Sequence, residues 1–194
     1  VRDLRGGLVR TSLALALGAL ALTGCSEKQE ASTSLPTPSA SETTPELPPL
    51  GPEDMPMPDE ARTQDAAGAE AFVRYYVDLI NRTSRVMDAE PLRQFSDGCR
   101  DCNRIADNTE EASAAGRAYR DGQITITEFA PPLLNGTVAS VAITFDQAEL
   151  TVVDSASNRV EDGSSEAYPG LPGGIGLRWD DRLQSWLITD FTVG

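Results

Sequence analysis

The stretch EAFVRYYVDLIN, residues 70–81, sets Phe72, Tyr75, Tyr76, Leu79 and Ile80 at spacings i, i+3, i+4, i+7 and i+8. The five side chains fall on one stripe of a 3.6-residue period with Asp78 off it, so the stretch is an amphipathic helix with an aromatic core face. Asp65 ahead of it is a cap residue, and the pattern predicts a helix running to about Arg85. Asp88 offers a cap for a short second helix over residues 89–95, where Pro91 is tolerated because first-turn N–H groups lack helical acceptors. After the turn Ser96-Asp97-Gly98, the small apolar residues Ile105, Ala106, Ala112 and Ala115 predict a third helix ending near Asp121-Gly122.

Beyond Gly122 the period changes to two. Ile124 and Ile126 alternate with Thr125 and Thr127; Ala139, Val141, Ile143 and Phe145 share a face; Leu150 and Val152 follow, and Asn135-Gly136 marks a tight turn. Residues 154–174 are rich in Ser, Gly and Pro and read as one or two long loops, with at most a short strand at 159–161. Ile175, Leu177 and Trp179 alternate again, Asp180-Asp181 starts a turn, and residues 186–193 close the chain as a strand. Helices followed by strands, without alternation, exclude a parallel α/β sheet. The pattern predicts an α+β domain over residues 63–194: three N-terminal helices packed on a curved antiparallel sheet of four to five strands.

Upstream the composition shifts. Between Ser26 and about Glu60 lie eight of the chain's 13 prolines, among Ser, Thr, Glu and Ala. Such a segment buries too little apolar surface to offset the entropy of folding, so residues 25–62 are expected to form a disordered tether. Residues 1–24 read as an export leader: Arg2, Arg5 and Arg10 precede or open an apolar run from Thr11 to Leu22. As a helix that run is roughly 18 Å long, well short of a ~30 Å hydrocarbon core. It ends in Leu22-Thr23-Gly24-Cys25, which resembles the lipobox of bacterial lipoproteins. The resemblance implies cleavage between Gly24 and Cys25 and a diacylglyceryl thioether on the Cys25 sulfur. Two acyl chains of about 30 methylenes contribute on the order of 20 kcal/mol of burial, an effectively permanent hold on a lipid bilayer. The location implied is the extracytoplasmic face of the cell membrane.

The chain of 194 residues has a formal net charge of -14 and no histidine. Its excess of carboxylates repels nucleic-acid phosphates and anionic headgroups, which argues against a nucleic-acid partner and keeps the domain off the membrane surface. Lack of histidine removes the commonest acid/base at neutral pH and the commonest metal ligand. With Cys25 assigned to the anchor, Cys99 and Cys102 of the stretch CRDC are left as an even pair in an oxidising compartment. Residues i and i+3 in a first helical turn sit about 5 Å apart at Cα, so the two are expected to bridge. A thioredoxin-type redox pair shares the spacing but follows a strand, and a zinc site needs further ligands.

The aromatic helix, the short stretch DAEPLRQF and the last hairpin LRWDDRLQSWLITDF together resemble the nuclear-transport-factor-like cone, also called polyketide-cyclase-like or cystatin-like. The first helix and the Cys-x-x-Cys after a Ser-Asp-Gly turn are also similar to a group of actinobacterial lipoproteins whose domain has no assigned function. The cone resemblance implies a mouth in which enzymatic relatives place Tyr, Asp or His around an apolar cavity, and a sheet face through which a homodimer can form. Candidates for such a pocket are Tyr75 and Tyr76 as hydrogen-bond donors and Glu128 and Asp190 as carboxyls. No motif pairs them, and no P-loop, G-x-S-x-G or calcium loop appears. Two functions remain open: a non-catalytic domain that binds an envelope protein or an apolar ligand, and a small-molecule enzyme or carrier with a cone-shaped pocket. Neither implies a metal or a cofactor.

Overall fold

The computed structural model describes residues 47–194. The leader, Gly24, Cys25 and the tether up to residue 46 lie outside the described residues.

The aromatic stripe belongs to helix α1, Ala66–Val86. Asp65 caps it, its Oδ1 accepting the Gly68 N–H at 2.7 Å, and Gly68 is needed because a Cβ there would run into the Thr63 carbonyl. Met87, at φ 57°, turns the chain away while its N–H still reaches the Thr83 carbonyl at 2.8 Å. All five stripe residues are buried. Helix α2, Glu90–Gln94, holds Pro91 in its first turn, and Asp88 Oδ1 accepts the Glu90 N–H at 3.3 Å. Helix α3, Arg100–Ala114, stops well before the predicted Asp121. Gly116 adopts φ 68°, its N–H donating to Ser113 O and the Arg117 N–H to Ala112 O, the paired bonds of a Schellman stop.

Strand β1, Ala118–Asp121, takes up the residues freed by that stop. It is followed by β2 (Ile124–Phe129), β3 (Leu133–Asn135), β4 (Val138–Gln147), β5 (Leu150–Val153), β6 (Arg159–Ser165), β7 (Tyr168–Asp180) and β8 (Ser185–Val193). Every ladder is antiparallel: β2-β4-β7-β8 with β3 also on β4 makes a five-stranded sheet, and β1-β5-β6 a three-stranded one. The two are halves of one folded sheet. Asp121 pairs with Leu150 and Ile124 with Gln147, while Leu150 also pairs with Ser165 and Gln147 with Tyr168. Three long strands therefore bend together along one crease. At it the Gly122 N–H donates to Glu149 O and the Ala148 N–H to Gln123 O, each at 2.9 Å. Gly122 adopts φ 77°, a backbone that favours glycine, and a Cβ there would press on the Leu150 side chain.

The α+β class and the helices-then-strands order are as predicted, but eight strands stand where four to five were expected. Besides the crease, the difference lies at residues 154–174, where β6 and the first half of β7 replace long loops. Pro169, Pro172, Gly173 and Gly174 conceal a strand from composition, and β4 on one side with β8 on the other supply its ladder all the same.

The folded part also begins before the predicted residue 63. Residues 47–62 form a strap against α1 and the β7–β8 turn, closed by a 3₁₀ turn at Asp59–Arg62. Met57 and Ala61 are buried in the core, with Leu50 and Met55 against it. The buried Arg62 guanidinium donates to the carbonyls of Pro48 at 2.6 Å, Leu183 at 3.1 Å and Gln184 at 3.4 Å. Arg82, buried on α1, pairs with Asp54 at 2.8 Å and Asp88 at 3.0 Å. The Tyr75 hydroxyl donates to Met55 O at 3.1 Å and Trp186 Nε1 to Thr63 O at 2.9 Å. Proline content hides the strap because its partners lie on distant parts of the chain and bind its carbonyls, which proline retains.

Acid should loosen this arrangement. Hydrogen bonds from Arg82 to Asp54, and from the backbone N–H groups of Gly68, Asn158 and Leu183 to Asp65, Asp154 and Asp180, hold these carboxyls below the ordinary 3.8. Depressed folded-state values give stability that is present above the unfolded pKa and lost as pH falls through the folded one. Thermal midpoints should be level from about pH 7 to 5 and fall below about pH 4, with Asp54→Asn lowering the plateau and making the fall shallower. Midpoints that hold or rise towards pH 2 would contradict this.

Candidate functional site

A cleft of about 650 Å³ opens along the crease, between α3, the C-terminal half of α1 and both halves of the sheet. Its floor is apolar: Ile80 from α1, Ile105 from α3, Ile124 from β2, Phe145 from β4, Leu150 from β5 and Phe191 from β8. The Phe145 and Phe191 rings lie 6.5 Å apart, centre to centre. Charged groups stand at the mouth, with Arg104 Nε 3.2 Å from Asp101 Oδ1, Arg117 Nη1 3.2 Å from Asp162 Oδ2, and Glu111 beside them. Three hydroxyl residues and the amides Asn108 and Gln147 also line it: Ser84 donates to Ile80 O at 3.2 Å, Thr109 to Ile105 O at 2.9 Å and Tyr119 to Asn108 O at 2.9 Å. Burial raises the Tyr119 pKa, keeping its proton in that bond. The arrangement can enclose an apolar body and meet a polar end at the mouth.

None of the four predicted pocket residues lines this cleft. Tyr75 and Tyr76 are core: their rings pack with Phe95 and Phe72, and the Tyr76 hydroxyl donates to Leu92 O at 3.3 Å. Burial pushes the Tyr75 hydroxyl up to about 12. Glu128 and Asp190 are on the solvent side for one shared reason. Strict alternation from Ile126 would turn Glu128 inward, but the β2–β4 register shifts between Ile126 and Glu128. Likewise the β7–β8 register skips Thr189, so Phe191 faces the core and Asp190 does not. A bulge reverses the side to which every later residue points. Glu128 accepts a hydrogen bond from the Thr144 hydroxyl at 3.2 Å, and Asp190 borders a shallow depression on the outer face, beside Ser140, Ala142, Gly174 and Gly176.

The sequence pattern does not single out Glu111, Arg117 or Tyr119, because the stretch up to Asp121 has the pattern of a helix end. Gly116 was the available signal for the stop.

A protein-family model described as a family of unknown function, DUF6318, matches residues 52–190. The chain belongs to that family. The DUF6318 match begins inside the strap, before α1, in keeping with the strap's buried contacts. No curated protein matches the chain. Among solved structures it is similar to the intermembrane space region of chloroplast protein ARC6, at 19% identity and a TM-score of 0.51 over 68% of this chain and 97% of that one. A chain labelled as an NTF2 variant with five substitutions is similar at 13% identity and a TM-score of 0.39, over 66% of this chain and 96% of that one. The first likeness is one of fold alone, and the second is too slight to bear on it.

In the DUF6318 domain a disulfide secures the start of α3, the helix that forms one wall of the cleft. Cys99 and Cys102 are bonded, with Cα atoms 5.3 Å apart, and both are buried at the start of α3, where Cys99 Sγ also accepts the Cys102 N–H at 3.2 Å. The bond thus caps the helix that carries Asp101, Arg104 and Ile105. For so small a loop the chain-entropy term is about 2 kcal/mol. Replacing both cysteines by serine should cost about that much, with a folded domain remaining by circular dichroism; a loss above about 5 kcal/mol in denaturant titration would show that the bond holds the whole fold.

Proposed function

We propose that this protein is a lipoprotein held on the outer side of a cell membrane through Cys25, whose domain binds a small, largely apolar ligand in the crease cleft without catalysing a reaction on it. The cleft carries this reading: a cavity of about 650 Å³ with an apolar floor is of the size that holds small organic ligands. An enzyme built on a buried acid would need a carboxyl inside the cavity. The carboxylates here stand at the mouth, and Glu128 and Asp190 lie outside the cleft altogether. The anchor rests on the sequence, through the apolar leader and the residues Leu22 to Cys25.

A protein partner, or a second copy of the chain, is favoured by a different observation. Leu133 is 75% exposed on the outer sheet face next to the depression at Ala142 and Gly174, in a run from Phe129 to Phe145 without a charged residue. Apolar area left uncovered in so charged a chain is where a docking surface is expected.

Two measurements test the proposal. In the native cells, Cys25→Ser should move the protein from the detergent phase to the aqueous phase or leave it unprocessed; unchanged partitioning would remove the anchor. For the cleft, the neutral fluorophore N-phenyl-1-naphthylamine should brighten on binding, and Ala112→Phe, which adds bulk to the α3 wall, should weaken it by at least about tenfold. Equal binding to both proteins would place the ligand elsewhere.

A further inference from the structure

The strap and the β3–β4 hairpin meet at one end of the sheet. Val138 pairs with Arg178 near the end of β7, and the Trp179 N–H donates to Thr137 O at 2.7 Å, so the hairpin turn lies beside the β7–β8 turn. Arg62 ties the start of the strap to that same turn through the carbonyls of Pro48, Leu183 and Gln184. The chain towards Cys25 therefore leaves the domain, at Leu47, on the side of this hairpin.

Apolar side chains are left uncovered here. Leu47, Leu133, Leu134 and Val138 are four of the seven large hydrophobic residues exposed among the described residues. Leu133 and Leu134 point to opposite faces, since Leu133 stands opposite Ser140 and Leu134 opposite the buried Ala139. A sheet face that docks a protein is apolar on one side, whereas this tip is apolar on both. Pro131 and Pro132 ahead of it have no N–H to desolvate and none to offer a partner's strand. Charge runs the other way along the sheet: residues 129–145 contain no charged side chain, while residues 146–166, beyond the tip and across the crease, contain six carboxylates and one arginine. The charges nearest the tip are engaged, Arg178 with Asp97 at 2.6 Å, Arg182 with Asp180 at 3.6 Å and Asp181 with Trp179 Nε1 at 3.0 Å.

We infer that the tip of the β3–β4 hairpin is a lipid-contact site, resting in the interface of the bilayer that holds the acylated Cys25. This rests on the anchor proposed above and adds to it an orientation. The stretch from Cys25 to Glu46 reaches roughly 25 Å as a coil, so the tip meets the bilayer at a high effective concentration and needs little intrinsic affinity. The carboxylates that repel anionic headgroups sit on the far half of the sheet and turn that half outward. The tip stays at interfacial depth, because the backbone groups of its turn still require water. The crease at Gln147 is about 30 Å along β4 from Val138, which leaves the cleft open to the side away from the lipid.

The test uses the lipidated full chain in vesicles of neutral phosphatidylcholine, with a nitrobenzoxadiazole label on Leu133→Cys or, on the far half, on Ser155→Cys. Cys99 and Cys102 are bonded to each other and Cys25 is acylated on this reading, so the label has one site. Shallow nitroxide lipids should quench the label at residue 133 at least about twofold more than at residue 155, with a blue-shifted emission only at 133. Adding Leu134→Asp and Val138→Asp, with the fold checked by circular dichroism, should bring the first value down to the second. Equal quenching at the two positions in chains that float with the vesicles would overturn the inference and leave the anchor standing. A shift at residue 133 in native membranes but not in pure lipid would put a protein on the tip, and a shift that grows with protein concentration without lipid would put a second copy there; either overturns the inference. If the chain does not float with the vesicles at all, the anchor falls and the lipid contact with it.

Discussion

Covering the aromatic stripe of α1 on two sides at once is the constraint from which the rest of this domain follows. Phe72, Tyr75, Tyr76, Leu79 and Ile80 are all buried, and the sheet covers only part of the helix. Phe95 from the end of α2 meets Phe72 and Tyr75 edge-on, with centroids 6.2 and 5.8 Å away. The strap supplies the remaining cover, and it arrives with its polar groups matched: Arg62, Arg82, Tyr75 and Trp186 bond to it or to the chain beside it. A buried guanidinium without acceptors would be strongly destabilising, so Arg62 and Arg82 fix the path of the strap as firmly as its apolar residues do. Among the described residues no buried side-chain nitrogen or oxygen lacks a partner.

The crease solves a second packing problem. The bend brings β1 of the three-stranded part beside α1 together with β2, while β8 of the five-stranded part packs against α3. The bend leaves a wedge that α1 and α3 do not fill, and that wedge is the cleft. The elements that make the fold possible thus also make its cavity, and its lining comes from both helices and both halves of the sheet. The disulfide acts at the same place by securing the first turn of α3. No helix among the described residues is long and apolar enough to cross a membrane. On the proposed view, attachment is the task of the lipidated cysteine, and the domain needs no spanning segment of its own.

Electrostatics fixes the polar lining of the cleft from within the protein. Arg104 lies 3.2 Å from Asp101 and Arg117 3.2 Å from Asp162, and the hydroxyls of Ser84, Thr109 and Tyr119 donate to backbone carbonyls of the chain itself. These bonds hold the side chains around the apolar floor in defined positions.

Local patterns decided much of this in advance. The 3.6-residue period of α1, the cap at Asp65, Pro91 in the first turn of α2, the Cys99–Cys102 bond and the change to period two after Gly122 are all visible in the sequence and all present in the fold. Each depends on residues within a turn or two of one another. What the sequence concealed was settled between distant residues: the strap held by Arg62 and Arg82, the glycine-rich half of β7 made a strand by β4 and β8, and the crease shared by three strands. The side to which Glu128 and Asp190 point belongs with these. Alternation is a local rule, but a bulge forms where one strand must keep step with its neighbour, so only the assembled sheet could decide that both acids face solvent and that Phe191 lines the cleft.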